Sequence, residues 1–297
     1  MMNTQPRRVE HQQTDRGTIP VYTTAVVEQP WDSYSATDHK VWEQLFARQR
    51  EVLPGRACEE FLAAQNMLEM TADAIPRFDE LNKILLDATG WTLIGVEGLL
   101  PEQTFFDHLA NRRFPVTWWI RTPEQIDYIS EPDLFHDLFG HVPLLMNPVF
   151  ADYMEAYGCG GLKAEKIGPE ALTNLTRLYW YTVEFGLIRD KGGLRIYGSG
   201  IVSSKGESIY SLESAAPNRI GFDLERVMRT QYRIDTYQQT YFVIDDFEQL
   251  FEATKPDFVP LYDKLKAQDS IPARDVRDED AVIQRGTREG FATDADA

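Results

Sequence analysis

Apolar residues recur at helical spacing along most of this chain. In SATDHKVWEQLFARQREVL (35–53), Val41, Trp42, Leu45 and Phe46 fall on one face, and Ser35 stands three residues before Asp38 as a capping signal, so a helix is predicted there. EEFLAAQNMLEM (59–70) and IPRFDELNKILLDATG (75–90) read as the next two helices, the second stopped by Gly90 in a left-handed conformation. WTLIGVEGL (91–99) and FPVTWWIR (114–121) read as short strands around a helix in PEQTFFDHLANRR (101–113), with Pro101 in its first turn. A helix beginning at Pro132 and ending at Gly140 is predicted next, then one over NPVFADYMEAYG (147–158), a Gly/Lys loop, and a long apolar helix over PEALTNLTRLYWYTVEFGLI (169–188). Strands at LRIYG (194–198) and TYFVI (240–244) and helices at LERVMRT (224–230), FEQLFEAT (247–254) and PLYDKLK (260–266) complete the pattern.

Helices outnumber strands, which predicts a mainly α, single-domain architecture with a small β element. Residues 1–30 are polar and aperiodic and are expected to form a flexible N-terminal arm; ordered structure is expected over 31–267. A polar C-terminal tail is expected over 268–297, without the apolar heptads of an oligomerising coiled coil.

Composition narrows the classes. With 47 acidic against 30 basic residues the chain carries a net charge of −17, a field that repels phosphate backbones and argues against nucleic acid as a partner. The two cysteines, Cys58 and Cys159, lack the spacing of a disulfide framework or a structural zinc site. No N-terminal apolar region reads as a signal peptide and no run approaches membrane-spanning length, so a cytoplasmic protein without membrane contact is expected.

The candidate chemistry begins with EPDLFHDLFGHVP (131–143). His136 and His141 stand five positions apart, which on a regular α-helix does not place two rings on one face. A chain turn at Gly140 would bring both imidazoles to one point, where they would suit Fe(II), Zn(II) or Cu; two histidines packed in a core would give the same letters. Glu184 is the sole charge in LYWYTVEFGLI (178–188), and a buried carboxylate there must be protonated, paired or metal-bound; an outward-facing residue or one paired with Arg177 is the alternative. Two histidines and a carboxylate form the facial ligand set of non-haem Fe(II) oxygenases, but zinc hydrolases use the same donors. The H-E-x-x-H of common zinc peptidases is absent. Asp137, beside His136, reads either as a residue supporting such a site or as helix surface.

EPDLFHDLFGHVPLL (131–145), RRFPVTWWIR (112–121), LYWYTVEFGL (178–187) and IYGSGIVSSKGESIY (196–210) together resemble the pterin-dependent aromatic amino acid hydroxylases, most of all the short bacterial members that act on phenylalanine. The likeness spans roughly residues 30–265. It implies a helical basket fold, with residues 31–267 as the catalytic domain, and Fe(II) held by His136, His141 and Glu184. A tetrahydropterin would be the electron donor, with O₂ as co-substrate and a small amino acid as substrate.

By the same resemblance, Arg121 would grip the substrate carboxylate, a task for which a planar guanidinium suits better than an ammonium. Ser203 and Glu207 would line that end of the pocket, and Trp180, Phe185 and Pro132 would wall the ring slot. Phe105 would stack on the pterin, with Gly98, Leu100 and Tyr232 beside it and Asp137 in the cofactor-binding group. Ile129 replaces a threonine of the animal members, which removes one polar contact. Neither a regulatory domain nor the animal tetramer-forming helix finds a match, so a monomer without activation by phenylalanine is expected. Hydroxylation of tryptophan or tyrosine, or zinc-dependent hydrolysis, remain the competing readings.

Overall fold

The computed structural model describes residues 8–14, 17–22 and 25–291; the remaining parts of the expected arm and tail lie outside the described residues. Within the N-terminal segment, Arg8–Thr14 (β1) pairs antiparallel with Gly17–Tyr22 (β2). The chain is then anchored before Trp31. Val27 donates its amide to the Gly95 carbonyl at 2.9 Å, and the Gln29 side chain bonds the Phe78 amide at 2.8 Å and the Pro76 carbonyl at 2.9 Å.

Three helices follow, Ala36–Val52 (α1), Glu59–Met67 (α2) and Phe78–Thr89 (α3). The capping box predicted at Ser35 and Asp38 is present, and Gly90 closes α3 at φ +77°, the left-handed stop read from its sequence. Thr92–Val96 (β3) and Arg113–Thr117 (β4) form a parallel pair crossed over by Glu102–Ala110 (α4). Pro148–Ile167 (α5) and Pro169–Tyr179 (α6) form the helical centre.

The C-terminal half alternates short strands and helices: Leu187–Asp190 (β5), Gly193–Ile196 (β6), Ser199–Val202 (α7), Lys205–Glu213 (α8), Asn218–Gly221 (β7), Leu224–Arg229 (α9), Thr240–Ile244 (β8), Phe247–Thr254 (α10), Val259–Leu265 (α11) and Val282–Gln284 (β9). The strands join into one five-stranded sheet in the order β6-β5-β8-β7-β9. Strand β8 lies in the middle with parallel partners on both sides, and every residue of TYFVI is buried, which is why it reads as an unbroken apolar run. The mainly α expectation therefore holds only in part. β5, β7 and β9 were not legible because each is three or four residues long, too short for a period-two signature, and is completed by pairing with distant segments.

Two expectations are corrected. The Gly/Lys loop after residue 158 is instead the continuation of α5, and its glycines serve close packing against α4. A Cβ at Gly158 would lie 2.4 Å from the Ala110 nitrogen, and one at Gly161 would lie 2.1 Å from the Phe106 ring. The C-terminal segment is polar but docked. Arg226, 6% exposed, bonds Asp280 at 2.8 Å, and Ile271 bridges to the backbone beside Thr230 while β9 pairs with β7. Asp280 answers the buried Arg226, while Asp278, Glu279 and Glu289 stay exposed.

Glu207 on α8 accepts the Tyr241 hydroxyl at 2.7 Å and the Gln238 amide at 3.1 Å. Burial raises its pKa to about 7 against the counter-effect of these two donors.

Two predictions follow from this packing. Gly161→Ala should lower stability by about 1–3 kcal/mol in urea denaturation through overpacking against Phe106, whereas Gly160→Ala, whose added methyl meets nothing within 4 Å, should be neutral or gain up to about 1 kcal/mol of helix propensity. Because folding raises the pKa of Glu207, the folded state holds its proton longer and wild-type stability falls as pH rises from the unfolded value of 4.5 to about 7. Glu207→Gln should therefore gain on wild type across that window, by up to roughly 3 kcal/mol at pH 8 and little at pH 4, in paired thermal melts.

Candidate active site

His136–His141 forms a π-helical turn, and so does Trp180–Glu184 at the end of the helix begun by α6. Hydrogen bonding from i to i+5 brings residues five apart onto one side, which an α-helix does not. His136 and His141 thus face one point, with their Nε2 atoms 3.1 Å apart, and the helix does not end between them. Gly140 is not in the left-handed region that the sequence pattern assigned to it. Its role is clearance: a Cβ there would stand 2.9 Å from the Ser199 carbonyl oxygen, so α7 could not approach.

Glu184 comes from the other widened turn. One of its oxygens lies 3.3 Å from His141 Nε2, the other 3.6 Å from His136 Nε2 and 2.9 Å from the Ser199 hydroxyl that donates to it. Burial works to raise its pKa, but the rings of His141 and His136 and the Ser199 hydroxyl outweigh this and hold it at about 2. The sequence alternatives of an outward-facing Glu184 or a pair with Arg177 do not match these contacts.

The protonation of His136 follows from its neighbours. The Ser203 hydroxyl donates to the Ser199 carbonyl at 2.7 Å, so its oxygen is left to accept from His136 Nδ1 at 3.0 Å. The ring proton therefore sits on Nδ1, and Nε2 presents a lone pair to His141 and Glu184. Burial lowers the pKa of His136 to about 4, which keeps the ring neutral near pH 7. Two bonds of about 2.1 Å at right angles would separate their donor atoms by about 3.0 Å. The observed separations of 3.1, 3.3 and 3.6 Å fit a divalent metal held by His136, His141 and Glu184.

Asp137 is a second carboxylate in reach, with an oxygen within 4.8 Å of ring nitrogens of both histidines. That carboxylate already accepts the Thr117 amide at 2.7 Å, while Glu184 directs both oxygens at the two Nε2 atoms, so Glu184 is the better third donor. Burial pushes Asp137 up to about 7, partly offset by His141.

Arg121 meets a partner that the sequence reading missed. Asp133, fully buried, takes Arg121 Nε at 2.8 Å and Nη2 at 2.9 Å, and also accepts the His136 amide at 3.0 Å, which caps the turn carrying the histidines. Pro132 precedes it outside the helix, which starts at Leu134. Burial tends to raise the Asp133 pKa, but the guanidinium and the amides hold it below the usual carboxylate range. The two-pronged pair leaves Nη1 and one N–H of Nη2 for a further acceptor, consistent with a guanidinium locked in orientation.

Trp180 packs 4.7 Å from Phe185 and stacks on Tyr232 at 4.4 Å with an interplanar angle of 16°. Tyr232, expected beside the pterin, thus lies against the expected substrate wall. Phe105 meets Tyr179 edge-on at 5.8 Å, and Tyr179 stacks toward His141 at 6.3 Å, which puts Phe105 one aromatic ring from the histidine pair. Gly98 and Leu100 lie in the loop that joins β3 to α4, fastened by the Trp119 indole bonding the Glu97 carbonyl at 3.0 Å. Gly98 takes φ +157°, where a side chain would be strained.

Asp133, Tyr179 and Ser199 are site residues that sequence reasoning passed over. Each stands beside a residue that was singled out or inside a quoted motif, but their contacts cross between elements and leave no periodic trace.

Known proteins resemble the chain over most of its length. A family described as biopterin-dependent aromatic amino acid hydroxylase matches residues 24–262. The phenylalanine-4-hydroxylase of Ralstonia nicotianae is 63% identical over 270 residues, 91% of this chain and 86% of that protein. That of Chromobacterium violaceum is 61% identical over 268 residues, 90% of each. A crystal structure of the Chromobacterium violaceum enzyme with iron and phenylalanine superposes with a TM-score of 0.83 at 60% identity, covering 87% of this chain and 93% of that one. Another, with iron(III) and 7,8-dihydrobiopterin, gives 0.84 at 60% identity over 88% and 93%. The chain belongs to the biopterin-dependent aromatic amino acid hydroxylases.

Proposed function

We propose that this chain is an iron-dependent monooxygenase that converts L-phenylalanine to L-tyrosine with O₂ and a tetrahydropterin. The observation that carries the reading is the convergence of the His136 lone pair, the His141 ring and an ionised Glu184 beside an aromatic wall. The relatives solved with iron, phenylalanine and dihydrobiopterin support the same assignment.

His136, His141 and Glu184 are the residues that would hold the metal. When bound, Fe(II) and tetrahydropterin supply the electrons that activate O₂, one oxygen atom going to the substrate ring and the other to the pterin. The protein's own work is positional. Arg121, held in orientation by Asp133, and Ser203 and Glu207 take the amino acid end, while Trp180, Phe185 and Pro132 confine the ring. Phe105 offers a face for the pterin, with Tyr179, Gly98, Leu100 and Asp137 around it, while Tyr232 backs Trp180 on the ring side.

The catalytic unit in this reading spans residues 31–267, with the N-terminal segment and the docked C-terminal segment as accessories. The protein is taken as monomeric and cytoplasmic. Cys58 and Cys159 are free thiols, as a reducing compartment would keep them, and among the described residues no helix is long and apolar enough to cross a membrane.

The deciding experiment is oxygen consumption and tyrosine formation by the ferrous-loaded protein with phenylalanine and a tetrahydropterin. Hydrolase activity after zinc loading with no tyrosine formed would overturn the proposal. Glu184→Ala and His141→Ala should each lose stoichiometric iron by elemental analysis; full occupancy in both would remove these side chains from the ligand set. Phe105→Ala should keep its iron and raise the KM for tetrahydropterin by about tenfold, the size expected from losing one stacked ring.

A further inference from the structure

The amide of Gln238 joins three parts of the site wall. It is 3% exposed, in the loop between α9 and β8. Its Oε1 accepts the indole N–H of Trp180 at 2.9 Å, its Nε2 donates to the Arg233 carbonyl at 3.0 Å, and its backbone amide donates to Glu207 at 3.1 Å. Arg233 directly follows Tyr232, whose ring lies on Trp180 at 4.4 Å.

The torsion that sets the plane of an aromatic side chain is broad and is not fixed by rotamer preference alone. Stacking on Tyr232 and packing on Phe185 are non-directional contacts that tolerate small displacements of the indole. A directed N–H···O bond does not, because it weakens steeply when bent. We propose that Gln238 is a positioning residue for the ring wall: its side-chain amide fixes the plane of Trp180 and ties to it the loop that carries Tyr232. The inference rests on the reading that Trp180 borders the substrate ring. Gln238 itself touches no reacting atom; it acts through Trp180, so ring recognition and not metal retention depends on it.

A double-mutant cycle separates this role from a merely structural one. Gln238→Leu removes the acceptor, and Trp180→Phe removes the donor. Iron content, the KM and calorimetric affinity for L-phenylalanine, the preference for phenylalanine over tryptophan, and tyrosine formed per tetrahydropterin oxidised are measured in each. Gln238→Leu is expected to keep stoichiometric iron, raise the phenylalanine KM roughly three- to tenfold, as one neutral hydrogen bond allows, and lower both the ring preference and the coupling to pterin. In the Trp180→Phe background the same change should have almost no further effect.

Equal losses in both backgrounds, or none in the otherwise wild-type chain, overturn the proposal. Gln238→Met, similar in length and without a strong acceptor, replaces the leucine variant if that is insoluble. If neither folds, Gln238 is a structural residue and the proposal also fails. The wild-type chain keeps the two readings apart: no tyrosine from it sinks the assigned activity, whereas an active wild type with an additive cycle removes only the role of Gln238.

Discussion

The structure depends on keeping one carboxylate ionised where water is scarce. Glu184 is mostly buried, and a lone ion in that position would cost several kcal/mol or, in effect, about the stability of the fold. Two imidazoles and a serine hydroxyl surround it, and this arrangement needs the turn that carries His136 and His141 and the helix that carries Ser199 to dock on it together. Both histidines come from one widened turn and the glutamate from another. A π turn is locally less favourable than an α turn, so its occurrence at both sources is a cost that the site's geometry imposes on the helices.

A layer of uncharged and paired groups secures those turns. Ser203 fixes the tautomer of His136 by giving its own proton to the Ser199 carbonyl, and Ser199 in turn reaches Glu184. The close approach of α7 that makes this relay possible requires Gly140 to have no side chain. Asp133 closes the other side, since a single carboxylate both caps the histidine turn and holds Arg121 in plane. Orientation of the histidine donors and orientation of the guanidinium therefore have a common support in Asp133, and neither can shift without the other.

The helices and the buried strand were legible because each carries its own pattern. The capping box at Ser35, the stop at Gly90 and the apolar run of TYFVI describe interactions made within a few residues or with any apolar neighbour. Readings failed where a residue's partner is distant. Gly158 and Gly161 resemble loop glycines, yet the α4 backbone and the Phe106 ring demand them inside a helix. Asp280 resembles tail surface, yet it neutralises Arg226 in the interior. The three short strands of the large sheet have no period to read and exist only as partners of other strands.

The same division runs through the site. By itself the sequence determined which side chains are chemically able to bind a metal, because an isolated glutamate in an apolar run and two histidines in a greasy segment are conspicuous by composition. It also carried the family motifs, and with them the candidates Arg121, Phe105 and Trp180. Only the tertiary structure decided that histidines five positions apart converge, since that depends on a π turn stabilised by packing and not by local propensity. It alone decided the tautomer of His136, the pairing of Arg121 with Asp133 and the hold of Gln238 on Trp180, because hydrogen bonds between side chains far apart in the chain are set by where whole elements dock.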